Sequence, residues 1–185
     1  IDASGSMLAN DYTPNRLEAA KNAASLFVDK ITGDVKVGVV TFAGASMIKQ
    51  KPTNDLKLVK DVISNLQIQT QGGTDIGQAV ITSANLLSEE NTPKVIVLLT
   101  DGRSNVGISP MEGIDYLKND NILVFTIGIG TGAGGSIRGV EAAFTIDEDT
   151  LDKMATTTGG KYFHATSIES LNKAFNDIAQ FQKKK

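Results

Sequence analysis

Hydrophobic positions along this chain follow two periodicities in turn, which predicts alternating strands and helices. Nearly continuous, β-branched runs are typical of parallel strands covered on both faces, and they occur at 35–42, 94–99 and 122–129. Between them, apolar residues recur every three or four positions, which predicts helices. The helical stretches centre on 17–31, 56–66, 76–87, 110–117, 151–155 and 171–181. This alternation predicts an α/β fold with a doubly wound, mostly parallel sheet and helices on both faces.

Two shorter runs and the N-terminus complete a predicted six-stranded sheet. Residues 47–51 suit an edge strand that Pro52 closes, and 161–163 suit a last strand. The first strand should end at Asp2, although only Ile1 precedes it. A buried strand usually needs about five residues. We therefore expect the first strand to be truncated in this chain, and its slot to be filled by upstream residues of the polypeptide or by a strand from another chain.

Composition limits both the fold and the classes of partner. With 185 residues, 41% of them apolar, the chain can bury one sizeable core, so we expect a single domain over 1–181 and a basic tail or linker at 182–185. A net charge of -3 without a basic stripe argues against nucleic-acid binding. The absence of cysteine excludes disulfides and thiolate-bound zinc. No apolar stretch approaches the ~20 residues of a spanning helix, so we expect no membrane contact by this chain itself.

Oxygen-bearing side chains stand at three separate places in the chain. They are Asp2, Ser4 and Ser6 in an Asp-x-Ser-x-Ser loop, Thr74 after two glycines, and Asp101 at the end of an apolar strand. Short Asp and Ser strings are also common in turns, so the two distant residues carry the prediction. In doubly wound sheets ligands bind outside the carboxyl ends of the strands, where these segments should meet. Hard oxygen ligands suit one small divalent cation, and short side chains favour Mg²⁺ or Mn²⁺ over Ca²⁺.

Together these five residues resemble the metal-ion-dependent adhesion site of the von Willebrand factor A domain family, and the resemblance runs along the whole chain. It implies that Ser4 and Ser6 coordinate the cation directly. The other residues of the set bind it directly or through water: Asp2, Thr74 and Asp101. The resemblance also implies one coordination position for an Asp or Glu carboxylate of a partner protein. On this basis the chain is expected to be a binding module and not an enzyme.

Within that family, four further segments are similar to the Bat-type, aerotolerance-associated proteins of bacteria and archaea. They are 15–21, 38–44, 146–151 and 159–163. This resemblance implies a membrane-anchored full-length protein in which the present domain is soluble and extracytoplasmic, with a MoxR-type ATPase system as a partner. Integrin-like or matrix adhesion domains are the sister alternative, and the absence of cysteine counts mildly against them.

Other functional classes fit the sequence less well. Gly128, Gly130 and Gly132 superficially suggest a dinucleotide loop, but no helix opens straight after them. A phosphatase-like, metal-dependent hydrolase would need a second Asp where Ser4 stands. The one histidine, His164, is expected to be a surface residue at the end of the last strand and not a base. A structural domain whose oxygen cluster holds no metal is the remaining alternative.

Overall fold

The computed structural model describes residues 1–89, 92–131, 135–137, 139–142 and 145–183. After a 3₁₀ turn at Gly5–Leu8, the helices are α1 (Arg16–Val28), α2 (Leu56–Ser64), α3 (Ile76–Leu86), α4 (Pro110–Tyr116), α5 (Glu148–Thr157) and α6 (Ile168–Lys183). The strands are β1 (Val37–Phe42), β2 (Ser46–Thr53), β3 (Lys94–Thr100), β4 (Ile122–Ile129), β5 (Gly135–Ile137), β6 (Val140–Ala142) and β7 (Tyr162–Ala165). Gly132 of the glycine series and positions 184 and 185 of the predicted tail lie outside the described residues.

Strands and helices are interspersed along the chain and helices cover both faces of the strands, so the predicted α/β class is confirmed. β3, β4 and β7 form a parallel sheet with β4 in the centre. β1 and β2 form an antiparallel pair, and β5 and β6 form a second one. Since β3 and β4 are parallel and in register, their carboxyl ends meet at one edge, where Thr100 lies opposite Gly128.

The prediction of one six-stranded sheet is wrong for the described residues, which form a three-stranded parallel sheet and separate two-stranded antiparallel pairs. The N-terminal segment, Ile1 to Ala3, lies between β1 and β3, where the first strand was expected. Asp2 forms an isolated parallel bridge with Phe42, and its amide donates to the Leu99 carbonyl at 2.8 Å. A segment of this length is too short to build the ladder that would join the two sheets.

An apolar cavity of about 180 Å³ lies between β1 and β3, and Ile1 forms part of its wall. Val39 and Val97 line it from the two strands, and Phe27 and Phe175 line it from α1 and α6. The cavity occupies the path that a longer first strand would take between its two neighbours.

Apolar side chains cover both faces of the strands. On one face α1, α2 and α6 pack against strand residues that include Phe125 and Ile127. On the other face α3, α4 and α5 pack against residues that include Ile96 and Val124. Successive positions of one strand thus face opposite helical layers, as a doubly covered sheet requires. Among the described residues, no helix combines the length and apolar character needed to span a bilayer.

Candidate metal site

Asp2 shapes the loop that follows the N-terminal segment. Its Oδ1 accepts a hydrogen bond from the Ser4 amide at 2.8 Å, and its Oδ2 accepts one from the Thr100 hydroxyl at 2.7 Å. The chain then enters the 3₁₀ turn, which the fully buried side chain of Met7 anchors in the core. Within this fixed loop, Ser4 Oγ and Ser6 Oγ lie 2.9 Å apart.

The loop meets Asp101 at the end of β3. Ser6 Oγ donates to Asp101 Oδ1 at 2.7 Å, and Asp101 directly follows Thr100, the residue that binds Asp2. Only 1% of Asp101 is exposed. The structure therefore brings four of the five predicted residues together, from the N-terminal segment and from β3: Asp2, Ser4, Ser6 and Asp101.

Thr74 comes from a third segment, immediately before α3. Its amide donates to Asn105 Oδ1 at 2.8 Å, and its carbonyl accepts from the amide of Asn105 at 3.0 Å and from Ser104 Oγ at 3.2 Å. Asp75 caps α3 by accepting from the Gln78 amide, which holds the same segment from its other side. Thr74 is thus joined to the loop after Asp101 through its backbone. Within the described residues, no side-chain hydrogen bond joins its hydroxyl to the other predicted ligands.

Two buried carboxylates dominate the electrostatics of this site. Burial raises the pKa of Asp2, against the hydrogen bonds that it accepts from Ser4 and Thr100. Burial and the negative charge of Asp2 raise the pKa of Asp101 to about 6, while the Ser6 hydroxyl and Arg16 act in the opposite direction. Two desolvated carboxylates in one site favour either a shared proton or a cation.

Arg16 is a functional residue that the sequence pattern did not reveal. It is 1% exposed, and its Nη1 donates to Asp101 Oδ2 at 2.9 Å. Its Nε and Nη2 both donate to the carboxylate of Asp11 at 2.8 Å. The available signal was a basic residue close after the Asp-x-Ser-x-Ser loop, in a chain with two predicted carboxylate ligands. In the sequence Arg16 stands out only within the segment 15–21, which is similar to Bat-type proteins.

Two polar residues support the predicted ligands without belonging to the predicted set. Thr100 reads as one more β-branched strand residue, and Asn105 as one of several polar loop residues. Their partners, Asp2 and Thr74, become visible only in the folded chain. By contrast, His164 lies on edge strand β7 and contacts Glu148 at 3.5 Å, in the surface position expected for it.

The donor set fits a hard cation. Within the described part of the chain, no group of three or more His, Cys, Asp or Glu side chains is arranged to hold a metal ion. The candidate site offers hydroxyl and carboxylate oxygens in its place, which are hard ligands of the kind that Mg²⁺ and Mn²⁺ prefer. Ser6 donates its proton to Asp101, so Ser4 Oγ is the donor in their 2.9 Å contact, and one lone pair of Ser6 Oγ is left for a cation.

Comparison with known proteins places this geometry in a family. The model of the von Willebrand factor type A domain matches residues 1–103, which include all five predicted ligands. A UPF0353 protein of Mycolicibacterium vanbaalenii is 31% identical over 194 residues, covering 97% of this chain and 58% of the relative. The chain therefore spans less than two thirds of that curated relative.

Solved structures that resemble this chain support the same family assignment. An aerotolerance-related membrane protein from Bacteroides fragilis superposes with a TM-score of 0.84 at 28% identity, covering 97% of this chain and 96% of the other. BatB from Bacteroides thetaiotaomicron gives 0.84 and 28%, with coverages of 98% and 96%. Proximal thread matrix protein 1 from the mussel byssus, solved with a zinc-occupied MIDAS motif, shares the fold (TM-score 0.73, 22% identity, 97% of this chain and 45% of the other). The predicted resemblance to Bat-type proteins is confirmed, and since the family model covers more than half of the residues, this chain belongs to the von Willebrand factor type A domain family.

Proposed function

We propose that this chain is a divalent-cation-dependent protein-binding module, in which a metal at the five-residue site captures an Asp or Glu carboxylate of a partner protein. The observation that carries the proposal is the run of oxygens from Ser4 through Ser6 to Asp101, with separations of 2.9 and 2.7 Å, at the carboxyl ends of the strands. Membership of the von Willebrand factor type A family supports the same site.

The five residues would contribute to such a site in two ways. The hydroxyls of Ser4, Ser6 and Thr74 would add ligands without charge, and the carboxylates of Asp2 and Asp101 would supply the negative charge. Mg²⁺ takes about six oxygens, so five protein groups that bind directly or through ordered water leave one position for an outside group. The bound cation supplies Lewis acidity, which favours an anionic oxygen at that position.

A phosphatase-like hydrolase is the rival from another class, and the geometry favours it less. Both oxygens of Asp2 accept hydrogen bonds, from Ser4 and Thr100, which stabilise the carboxylate and make it a weaker nucleophile. The histidine, His164, lies on the edge strand farthest from the N-terminal segment and contacts Glu148 there. The site therefore favours binding over turnover.

We further propose that the full-length protein is membrane-anchored and presents this domain outside the cytoplasm. The support is the likeness to an aerotolerance-related membrane protein at a TM-score of 0.84. A MoxR-type ATPase system remains the proposed partner context. Detecting the domain in membrane fractions of cells that express the full-length protein, and its cleavage by protease added to the extracytoplasmic side, tests this placement.

Calorimetric titration of the metal tests the main proposal. We expect one site, with Mn²⁺ at least as tight as Mg²⁺ and Ca²⁺ weaker. Ser6→Ala removes one hydroxyl ligand and should weaken Mn²⁺ binding about tenfold or more. Ser83→Ala is the matched control, because Ser83 Oγ donates only to the Ala79 carbonyl of its own helix, at 2.8 Å. Equal Mn²⁺ affinities of the two variants would contradict the proposed metal site. Mg²⁺-dependent turnover of an aryl phosphate would favour the hydrolase.

A further inference from the structure

Arg16 joins a proposed metal ligand to a second carboxylate that lies outside the metal site. Its side chain and the carboxylates of Asp11 and Asp101 are 1%, 4% and 1% exposed, so the three groups form a buried charge cluster. The fork toward Asp11 uses two nitrogens at 2.8 Å, and Nη1 reaches Asp101 Oδ2 at 2.9 Å. Bidentate pairs of this kind fix the plane of the guanidinium group as well as its position.

The position of the guanidinium is fixed independently of Asp101. Asp11 Oδ2 also accepts from the amide and hydroxyl of Thr131, at 3.1 and 3.2 Å, which ties it to the end of β4. The Arg16 guanidinium is therefore held by Asp11 and, through it, by the segment after β4, and from this position it donates to Asp101.

This contact occupies the second oxygen of Asp101. Ser6 donates to Oδ1 and Arg16 donates to Oδ2, so both carboxylate oxygens are engaged before any further ligand is considered. Each oxygen keeps a second lone pair, but a metal ion that approached Asp101 directly would be repelled by the guanidinium charge, whose Nη1 lies 2.9 Å from Oδ2. The Ser6 oxygen keeps one lone pair for a metal ion, because its proton points to Asp101 and its other lone pair accepts from Ser4 Oγ.

We infer that Arg16 is a positioning residue that makes Asp101 an indirect metal ligand, acting through Ser6 and water, and so keeps the cation under-neutralised and attractive to a partner carboxylate. The inference rests on the proposed metal site. The inference predicts the direction in which the metal affinity changes when Arg16 is removed. A residue that merely orients a ligand weakens metal binding when it is removed, whereas removing a competing cation strengthens it.

The test uses the double variant Asp11→Asn/Arg16→Gln with Mn²⁺ alone as the probe. Removing the pair together leaves no unpartnered buried charge between them. We expect Mn²⁺ affinity to rise about tenfold, which is the effect of removing one nearby charge from a carboxylate. We also expect Mn²⁺ to hold about one water fewer, measured by line broadening of its paramagnetic resonance spectrum in ¹⁷O-enriched water, since Asp101 replaces a water.

Two further variants complete the design. Asp11→Asn alone keeps Arg16 on Asp101, so its Mn²⁺ affinity should not rise above that of the wild type. Arg16→Lys keeps the charge and loses the fork, so its affinity should lie between those of the wild type and the double variant, and it decides the question if the double variant does not fold. Unchanged or weaker binding in both Arg16 variants, with a wild type that binds Mn²⁺, would overturn the role of Arg16 alone. Absence of Mn²⁺ binding in every protein would overturn the metal site itself.

Discussion

At the residue scale, the two site carboxylates are each held by a pair of donors. Asp2 accepts from the Ser4 amide and the Thr100 hydroxyl, and Asp101 accepts from Ser6 and Arg16. These donors fix the side-chain rotamers and share the negative charge. Changes to the donors should therefore affect the site without changing the proposed ligands themselves.

Thr100→Val tests this at Asp2. The substitution keeps the shape of a β-branched side chain and removes the hydroxyl that donates to Asp2 Oδ2 at 2.7 Å. A buried acceptor left without its donor costs about 1–3 kcal/mol, and the freed carboxylate should bind Mn²⁺ about tenfold more weakly.

Thr126→Val is the matched control for that experiment. Thr126 lies on β4, away from the site, and is as buried as Thr100. Its hydroxyl donates to the Leu151 carbonyl at 2.8 Å. It should lower the free energy of unfolding, measured by urea denaturation, and leave the Mn²⁺ affinity unchanged. Equal metal affinity in the two variants would contradict an orienting role for Thr100.

The raised pKa of Asp101, to about 6 from 3.8, predicts proton-linked metal binding. Without metal, the folded state binds this proton more tightly than the unfolded state. The destabilisation by this carboxylate is therefore present above the folded pKa and is relieved as the pH falls toward the unfolded one. Because a cation requires the ionised form, binding should release protons near pH 6 and hardly any near pH 8. Titration calorimetry in buffers of different ionisation enthalpy measures this release, and equal release at the two pH values would contradict the prediction.

The predictable part of the site was its oxygen ligands. The Asp-x-Ser-x-Ser spacing identifies Asp2, Ser4 and Ser6 in the sequence, and the preceding apolar strand identifies Asp101. Arg16 could not be found in this way, because an arginine in the first turn of a helix normally reaches solvent. Its burial depends on Asp11 and Asp101, which only the tertiary fold brings to it.

At the element scale, periodicity located the strands and helices but not their pairing. β4 was predicted at 122–129 and is found at Ile122–Ile129, because a continuous β-branched run has few alternatives. The prediction that the strands join into one sheet was wrong at the N-terminal segment. Ladder formation depends on how many residues face each neighbour, and Asp2 alone forms a parallel bridge with β1.

The cavity between β1 and β3 predicts what would complete the sheet. Four β-branched or leucine residues joined ahead of Ile1 should extend the N-terminal segment into this space of about 180 Å³ and supply hydrogen-bond partners to both strands. We expect the melting temperature to rise by about 4 °C or more, which corresponds to a gain of roughly 1–2 kcal/mol. A glycine-serine extension of equal length is the control. The same melting temperature in both would contradict the placement of the first strand between β1 and β3.

At the scale of the whole molecule, two helical layers leave one edge of the sheet for function. The N-terminal loop, the loop before α3 and the loop after β3 converge there, tied by contacts from Thr100 to Asp2 and from Asn105 to Thr74. The buried cluster of Arg16 and Asp11 joins the same edge to the end of β4 through Thr131. The proposed metal site therefore takes residues from the sheet edge and is supported by α1 through Arg16 and by the segment before α3.

The central claim is that one divalent cation is held by Asp2, Ser4, Ser6, Thr74 and Asp101. Crystals of the wild-type chain grown with Mn²⁺, with diffraction measured for the anomalous signal of manganese, test it most directly. The account predicts a single strong anomalous peak at roughly 2.0–2.3 Å from the hydroxyl oxygens of Ser4 and Ser6, and a much weaker peak in Ser6→Ala crystals prepared at a Mn²⁺ concentration near the wild-type dissociation constant. A peak at another place on the molecule, or none at a Mn²⁺ concentration that saturates the calorimetric titration, would contradict it.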